Sequence, residues 1–294
     1  MATSPTPSFD SATPKLADTF AERYAAIQQR IARAAAKAGR SAEEITLIGV
    51  SKNHPREAVE EAWKAGIRHF GESKTQEAKL KLGGSGLPGT WHFIGHLQKN
   101  KAKDVAAMFQ RVDSVDSLEL AEELDKRAAT AGRELAVLLQ VNVAAESAKF
   151  GLRPEDALLT AQRVNDMHRL RLEGLMLIAP YATQTEKVRP IFAKLRELRD
   201  KIEQSSGLKL PALSMGMSHD MEVAIEEGAT EVRIGTDLFG ERKSAYFSRG
   251  AADTTAPASS AASAEAAPKK KTWRERAAER SEDVPTIVYG QDGD

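Results

Sequence analysis

Eight short apolar runs rich in β-branched and aromatic residues recur along the chain, and longer amphipathic stretches separate them. The runs are ITLIGV (45–50), IRHF (67–70), WHFIG (91–95), RVDSV (111–115), AVLLQVNV (136–143), LEGLML (172–177), ALSM (212–215) and EVRIG (231–235). The segments between them are rich in Ala, Glu, Leu, Lys and Arg, which favour helices. This alternation predicts an α/β fold, a single (β/α)8 TIM barrel with functional groups in the loops that follow the strands. A doubly wound open sheet is the alternative that the same count leaves open.

The segments outside this alternation predict a helix at one end and flexible chain at both. Residues 15–38 carry Leu16, Phe20, Tyr24, Ile27 and Ile31 at helical spacing, so an extra helix precedes the first strand. Residues 1–14 are rich in Pro, Ser and Thr, and we expect them to be disordered. Residues 248–294 begin as a low-complexity linker and form a flexible tail, or alternatively a docking motif for a protein partner. The barrel domain is therefore assigned to 15–247.

Composition narrows the chemistry that this barrel can carry. Forty-two basic residues balance forty-two acidic ones, so no global field favours nucleic acid or an anionic membrane. The sequence contains no cysteine, which excludes disulfides, thiolate catalysis and cysteine-ligated metals. It also has no apolar segment of roughly 20 residues and no signal-peptide pattern at its beginning. We expect a soluble, cytoplasmic protein that uses Lys, His, Ser, Thr and carboxylates.

A lysine and an arginine stand at unusual positions on the first and last strands. Lys52 follows the apolar run that ends at Val50, where a barrel exposes its functional groups. Arg233 interrupts the final apolar strand and needs an acceptor inside the barrel, for which a salt bridge to Glu72 is one interpretation. If Lys52 faces the barrel mouth, apolar walls and the Arg233 charge disfavour its ammonium form. An amine in that state is a nucleophile for aldehydes.

The ends of the last two strands carry the chemistry of a phosphate cradle. SMGMSHD offers the Ser214 hydroxyl, a glycine for close approach, and Ser218 as the expected N-cap of the next helix. VRIGTDLFG offers the backbone of Gly235 and the backbone and hydroxyl of Thr236. Barrel enzymes commonly bind phosphate between these two loops. Together with the Lys52 amine, the cradle predicts an aldehyde that carries a phosphate, either a sugar phosphate or pyridoxal 5′-phosphate.

Six motifs, in this order, resemble a known family. They are VSKNHP, HFGESKTQEA, WHFIGHLQKNK, VNVAAESAKFG, GLMLIAP and SMGMSHDMEVAIEEGATEVRIGTDLFGER. They closely resemble the pyridoxal phosphate homeostasis proteins, the YggS/PROSC family, which are similar in turn to the N-terminal barrel of alanine racemase. The resemblance covers about residues 15 to 247.

The resemblance implies a role for individual residues in binding pyridoxal 5′-phosphate (PLP). It implies Lys52 as the Schiff-base lysine, Met215 as a lining residue and Arg233 beside the pyridine nitrogen, with phosphate ligands at Ser214, Gly235 and Thr236. A permanent cation beside the ring nitrogen opposes its protonation and weakens the ring as an electron sink. The chain departs from the family at FGES, where Ser73 replaces the usual asparagine near the cofactor.

Two further residues are implied near the mouth. Lys149, in the segment ESAKFG, resembles a second lysine linked to cofactor release or exchange, although a solvated loop lysine explains it equally well. His96 follows the third strand and is expected as a polar lining group.

The resemblance implies a carrier of PLP rather than an enzyme. About 47 residues follow Phe247, too few for the second domain with which alanine racemase completes its site. We therefore expect a monomer that holds PLP as a Schiff base on Lys52 and delivers it to PLP-dependent apo-enzymes. The alternatives are a weak PLP-dependent racemase or lyase using Lys52 as base, a Schiff-base aldolase acting on sugar phosphates, and a scaffold that works through its tail.

Overall fold

The computed structural model describes residues 19–82, 88–144 and 150–240. The expectations for residues 1–14, Lys149 and residues 248–294 lie outside the described residues. These described residues form eight strands: β1 Thr46–Val50, β2 His69–Glu72, β3 Thr90–Phe93, β4 Arg111–Val115, β5 Leu135–Gln140, β6 Leu170–Met176, β7 Ala212–Met217 and β8 Glu231–Ile234. Each of the eight predicted strands is confirmed, with ends that differ by up to three residues.

The strands form a closed parallel barrel. Each strand pairs with the next along the chain, and β8 returns to pair with β1. In that last pair Ile48 lies opposite Arg233 and Gly49 lies opposite Ile234. Because a doubly wound sheet leaves two open edges, this closure excludes it, and the predicted TIM barrel is confirmed.

Helices surround the barrel and cover its outer face. They are α1 Phe20–Lys37, α2 Arg56–Lys64, α3 Thr75–Leu82, α4 Ala102–Met108, α5 Leu118–Thr130, α6 Ala157–Asn165, α7 Arg189–Ser206, α8 Met221–Glu226 and α9 Thr236–Phe239. The predicted additional helix is α1, which begins with a capping box between Thr19 and Glu22 and buries Ile27 and Ile31. Within the three described ranges, no helix combines the length and apolar character needed to cross a membrane.

The two faces of each strand contribute to different layers. Leu213 of β7 belongs to the large apolar core shared with the helices, whereas Ala212 clusters with Leu138 of β5 and Met176 of β6. Successive side chains of a strand point to opposite faces, so Ser214 shares the interior face with Ala212. The interior is therefore only partly apolar, and its remaining positions hold polar and charged groups.

Backbone hydrogen bonds explain where two strand ends differ from the prediction. β2 begins at His69 because the Ile67 N–H still bonds the Ala62 carbonyl at the end of α2. β5 ends at Gln140 because the backbone beyond it pairs with Leu152: the Gln140 carbonyl accepts from the Leu152 N–H, and the Asn142 N–H donates to the Leu152 carbonyl. Apolar side chains continue across both points, so hydrophobic pattern alone placed these ends wrongly.

Candidate functional site

Lys52 lies in a tight turn directly after β1. The Ser51 carbonyl accepts a hydrogen bond from the His54 N–H at 3.0 Å, which closes the turn. Asn53 has a φ of 62°, in the left-handed region that asparagine tolerates better than most residues. Interior positions of β1 alternate through Ile48 and Val50, so Lys52 continues the inward-facing series. The turn thus holds the lysine at the C-terminal mouth of the barrel, as predicted.

Side chains from β2 and α3 hold this turn from outside the barrel wall. Glu72, with no exposed surface, accepts from the Ser51 hydroxyl at 2.6 Å. The Lys81 ammonium, only 2% exposed, donates to Glu72 Oε1 and to the Ser51 carbonyl, both at 2.6 Å. Glu77 accepts from the Asn53 N–H at 2.9 Å. Burial raises the pKa of the Glu72 carboxyl, and the Lys81 charge acts in the opposite direction.

Sequence reasoning missed Lys81. It follows Thr75 and Ala78 at three-residue spacing on the buried face of α3, and that spacing is the signal that could have identified it.

Arg233 lies inside the barrel, opposite Ile48 on the neighbouring strand. Ile48 precedes Lys52 by four residues. The Arg233 guanidinium donates to the Ser214 hydroxyl and to the Leu177 carbonyl, both at 2.8 Å. Burial lowers the pKa of this guanidinium, although nearby carboxylates act against that effect. The predicted alternative, a salt bridge to Glu72, is wrong because Glu72 lies on the outer face of the wall and pairs with Lys81.

Ser214 and Arg233 therefore form a polar floor beneath the mouth. Ser214 accepts from Arg233 and keeps its own proton to donate, because a hydroxyl can do both. Met215, the next residue of β7, is fully buried in the core layer shared with the helices. Its side chain faces away from the interior, so this placement does not support Met215 as a lining residue.

The loops after β7 and β8 form one side of the mouth. Gly216 has a φ of 95°, and a Cβ there would lie 2.6 Å from the Ala224 Cβ, so glycine is required on both counts. Thr236 is exposed at the first position of α9, directly after Gly235. Ser218 is not the N-cap of α8, contrary to prediction; that position belongs to Asp220, whose carboxylate accepts from the Met217 N–H.

Arg30 of α1 joins these two loops. Its guanidinium donates to the Ser218 carbonyl at 2.8 Å and to Glu222 of α8 at 2.6 Å. It also donates to Asp237 of α9 at 2.7 Å. The extra N-terminal helix thus fixes the spacing between the loops that follow β7 and β8. Its hydrophobic pattern predicted the helix but not this role.

Ser73 and His96 line a separate cavity of about 250 Å³ between the loops after β2 and β3, together with Lys101. His96 Nδ1 lies 3.0 Å from an Asp116 oxygen, and its ring stacks on Phe150. The structure therefore groups Ser73 with His96.

A network of charged and imidazole groups fills the N-terminal part of the barrel interior. His69 Nδ1 lies 3.0 Å from His92 Nε2, and His92 Nδ1 lies 3.0 Å from Asp113. Arg111 of β4 reaches Glu231 of β8, on the opposite side of the barrel, at 2.7 Å. Burial, together with the charges of His92 and Arg111, lowers the pKa of His69 to about 4. These inward positions on β2, β3, β4 and β8 could have been found from strand alternation.

No group of three or more His, Cys, Asp or Glu side chains that could hold a metal ion occurs in the part of the chain that the structure describes.

This barrel, with a lysine after β1 and an arginine on β8, defines a class of protein. The sequence model of the family described as alanine racemase, N-terminal domain, matches residues 23–243. Alanine racemase of Clostridium difficile shares the fold at 17% identity, with a TM-score of 0.60 over 74% of this chain and 57% of that one.

Closer relatives identify the family within that class. The pyridoxal phosphate homeostasis protein of Pseudomonas aeruginosa is 46% identical over 225 residues, 76% of this chain and 96% of that protein. Its counterpart in Aquifex aeolicus is 44% identical over 223 residues, 76% of this chain and 98% of that protein. PipY of Synechococcus elongatus, solved with PLP bound, is 37% identical with a TM-score of 0.66, over 76% of this chain and all of that one. The chain belongs to the pyridoxal phosphate homeostasis protein family.

Proposed function

We propose that this protein binds PLP as a Schiff base on Lys52 and acts in intracellular PLP homeostasis. The observation that carries the proposal is the position of Lys52, which a closed turn holds on the inward-facing series of β1, four residues beyond Ile48, the residue that pairs with Arg233 of β8. PipY, a relative at 37% identity, was solved with PLP bound. The neutral amine adds to the aldehyde carbon, a C=N bond forms and one water leaves, so no oxidant or reductant is needed.

The donor set of the mouth fits a phosphorylated aldehyde. Ser214 keeps a hydroxyl proton to donate, and the exposed Thr236 begins a helical turn directly after Gly235. N–H groups in the first turn of a helix have no acceptor within the helix, and they suit an anion. We propose Ser214, Gly235 and Thr236 as phosphate ligands and Arg233 as the group beside the pyridine nitrogen. Met215 contributes through its backbone at most, and Ser73 belongs to the proposal only as a group at the edge of the mouth.

We further propose that the protein is a carrier and not an enzyme. PLP supplies electron-sink chemistry when its ring nitrogen is protonated. Arg233 is buried, donates to neutral oxygens of Ser214 and Leu177, and opposes that protonation as a permanent cation. The alternative is a weakly active racemase or lyase in which Lys52 acts as base. Steady turnover of an amino acid that is lost in Lys52→Ala would favour that alternative.

The spectrum of the purified protein tests the binding proposal. We expect the wild-type protein to develop a visible absorbance band with PLP, and we expect Lys52→Ala to abolish it. Lys99→Ala, which removes an exposed lysine after β3, is the matched control and keeps the band. A wild-type protein that stays colourless after incubation with PLP would refute the proposal.

The remaining proposals concern partners. We propose that a monomeric protein delivers PLP to PLP-dependent apo-enzymes in the cytoplasm, that Lys149 assists cofactor release, and that the tail, residues 248–294, docks a protein partner. Light scattering tests the monomer. PLP transfer to an apo-enzyme, compared among wild type, Lys149→Ala and a chain shortened at 247, tests delivery, the role of Lys149 and the role of the tail. Equal transfer by all three would contradict the roles of Lys149 and the tail.

A further inference from the structure

We infer that Lys81 is a positioning residue for Lys52, and that it acts by fixing the peptide unit that precedes the reactive lysine. The inference rests on the proposed function of Lys52. Lys81 lies on α3, outside the barrel wall, and its ammonium is almost completely buried.

The contacts of Lys81 converge on Ser51, the residue before Lys52. Its ammonium donates to the Ser51 carbonyl at 2.6 Å, and its partner Glu72 accepts from the Ser51 hydroxyl at 2.6 Å. The same Ser51 carbonyl also accepts from the His54 N–H. Both lone pairs of this oxygen are therefore used, which sets the orientation of the peptide plane between Ser51 and Lys52.

The peptide unit on the other side of Lys52 is held from the same helix. Its N–H, which belongs to Asn53, donates to Glu77 at 2.9 Å, and Glu77 is itself buried. Two side chains of α3 thus fix the two peptide planes that meet at the Lys52 Cα. Together they determine the backbone torsions of Lys52 and the direction in which its side chain leaves the chain.

Stability alone does not account for a lysine at this position. A buried ion pair usually stabilises a fold no more than well-packed apolar side chains of the same volume. Met would fill the space of Lys81, but it has no donor for the Ser51 carbonyl. Because a displacement of about 1 Å in a reacting group can cost roughly 100-fold in rate, a fixed direction for the Lys52 amine has a direct chemical effect.

Two ligands separate positioning from folding. PLP reports imine formation on Lys52, whereas pyridoxine 5′-phosphate has the same ring and phosphate but no aldehyde. In Lys81→Met we expect the rate of imine formation with PLP to fall about 10-fold or more, while the affinity for pyridoxine 5′-phosphate stays within about twofold of wild type. Lys79→Met is the matched control, since Lys79 lies on the same helix in an exposed pair with Asp104. We expect it to change neither imine formation with PLP nor the affinity for pyridoxine 5′-phosphate.

A second variant guards against loss of folding. Lys81→Met alone leaves the Glu72 carboxylate buried without its cation, which destabilises the protein. The double variant Lys81→Met/Glu72→Gln removes that charge and keeps an acceptor for the Ser51 hydroxyl. We expect it to recover most of the lost melting temperature but not the rate of imine formation. If neither variant folds, Glu77→Leu removes the grip on the second peptide unit and is expected to show the same separation of the two ligands.

The outcomes distinguish this inference from the proposal on which it rests. If the imine forms equally fast in wild type and in a folded variant, the role of Lys81 would be overturned, while the proposed function of Lys52 would stand. Parallel loss of both ligands would also overturn it, because it would show a purely structural role. A wild-type protein that forms no borohydride-stable adduct with PLP at Lys52 would instead refute the proposed function.

Discussion

Arg30 offers a sharp test of how the phosphate loops are organised. Its guanidinium bonds the Ser218 carbonyl after β7, Glu222 of α8 and Asp237 of α9, so Arg30→Ala releases both loops from α1 at once. We expect the barrel to remain folded, because Arg30 is a surface residue of α1 and the buried Ile27 and Ile31 keep that helix in place.

The magnitude follows from the exposure of the groups. The side chains of Arg30, Glu222 and Asp237 are 26%, 37% and 38% exposed, so solvent screens each pair substantially. Such pairs contribute about 0.2–1 kcal/mol each, which gives roughly 1–2 kcal/mol for the three contacts together. Because these contacts order the loops before a ligand arrives, their loss appears as weaker binding. A loss of about 1.4 kcal/mol corresponds to a tenfold weaker affinity.

The assay compares PLP with pyridoxal, which lacks the phosphate, by titration of the imine absorbance. We expect Arg30→Ala to bind PLP about 10-fold more weakly and to bind pyridoxal as the wild type does. Arg33→Ala, an exposed arginine of the same helix, is the control and keeps both affinities. Unchanged PLP affinity in Arg30→Ala, or an equal loss for both aldehydes, would refute the reasoning.

Two further predictions concern stability. The pKa of His69 is lowered from about 6.5 to about 4, so between these values the unfolded chain binds a proton that the folded protein excludes. The folded protein therefore has its full stability above pH 6.5 and loses stability as the pH drops toward 4. Because His69 is only half-buried, we expect this loss in the free energy of unfolding to be about 1–2 kcal/mol. In urea unfolding, the stability of His69→Gln should fall less steeply between pH 6.5 and pH 4 than that of wild type, and an identical pH dependence would contradict this. Gly216→Ala should lower the free energy of unfolding by at least about 1 kcal/mol more than Gly132→Ala, because both have positive φ but only Gly216 has a neighbour, Ala224, in the way. Equal losses would show that the overlap relaxes.

The architecture was predictable because each strand is a short apolar run bounded by polar turns. Residues 45–50 and 231–235 are examples, and the pairing of β1 with β8 followed from the number of strand–helix units. The position of Lys52 was predictable for the same reason, since the apolar run before it ends abruptly. Patterns of single residues locate strand ends, and in a barrel those ends form the mouth.

The supporting contacts were not predictable, because they depend on which elements become neighbours in space. Glu72 appeared as a candidate partner for Arg233, yet alternation turns it outward to Lys81. Met215 lies one residue from Ser214, and that single step moves its side chain from the interior to the outer core. Arg30 belongs to a helix whose contacts with α8 and α9 involve residues about 190 to 210 positions away.

The central claim is a covalent bond between PLP and one amine, and reductive trapping tests it most directly. The purified protein is incubated with PLP, reduced with borohydride, digested and mapped by mass spectrometry. We predict one phosphopyridoxyl group, attached to the peptide that contains Lys52. A modification on other lysines without Lys52, or no modification at all, would contradict the claim.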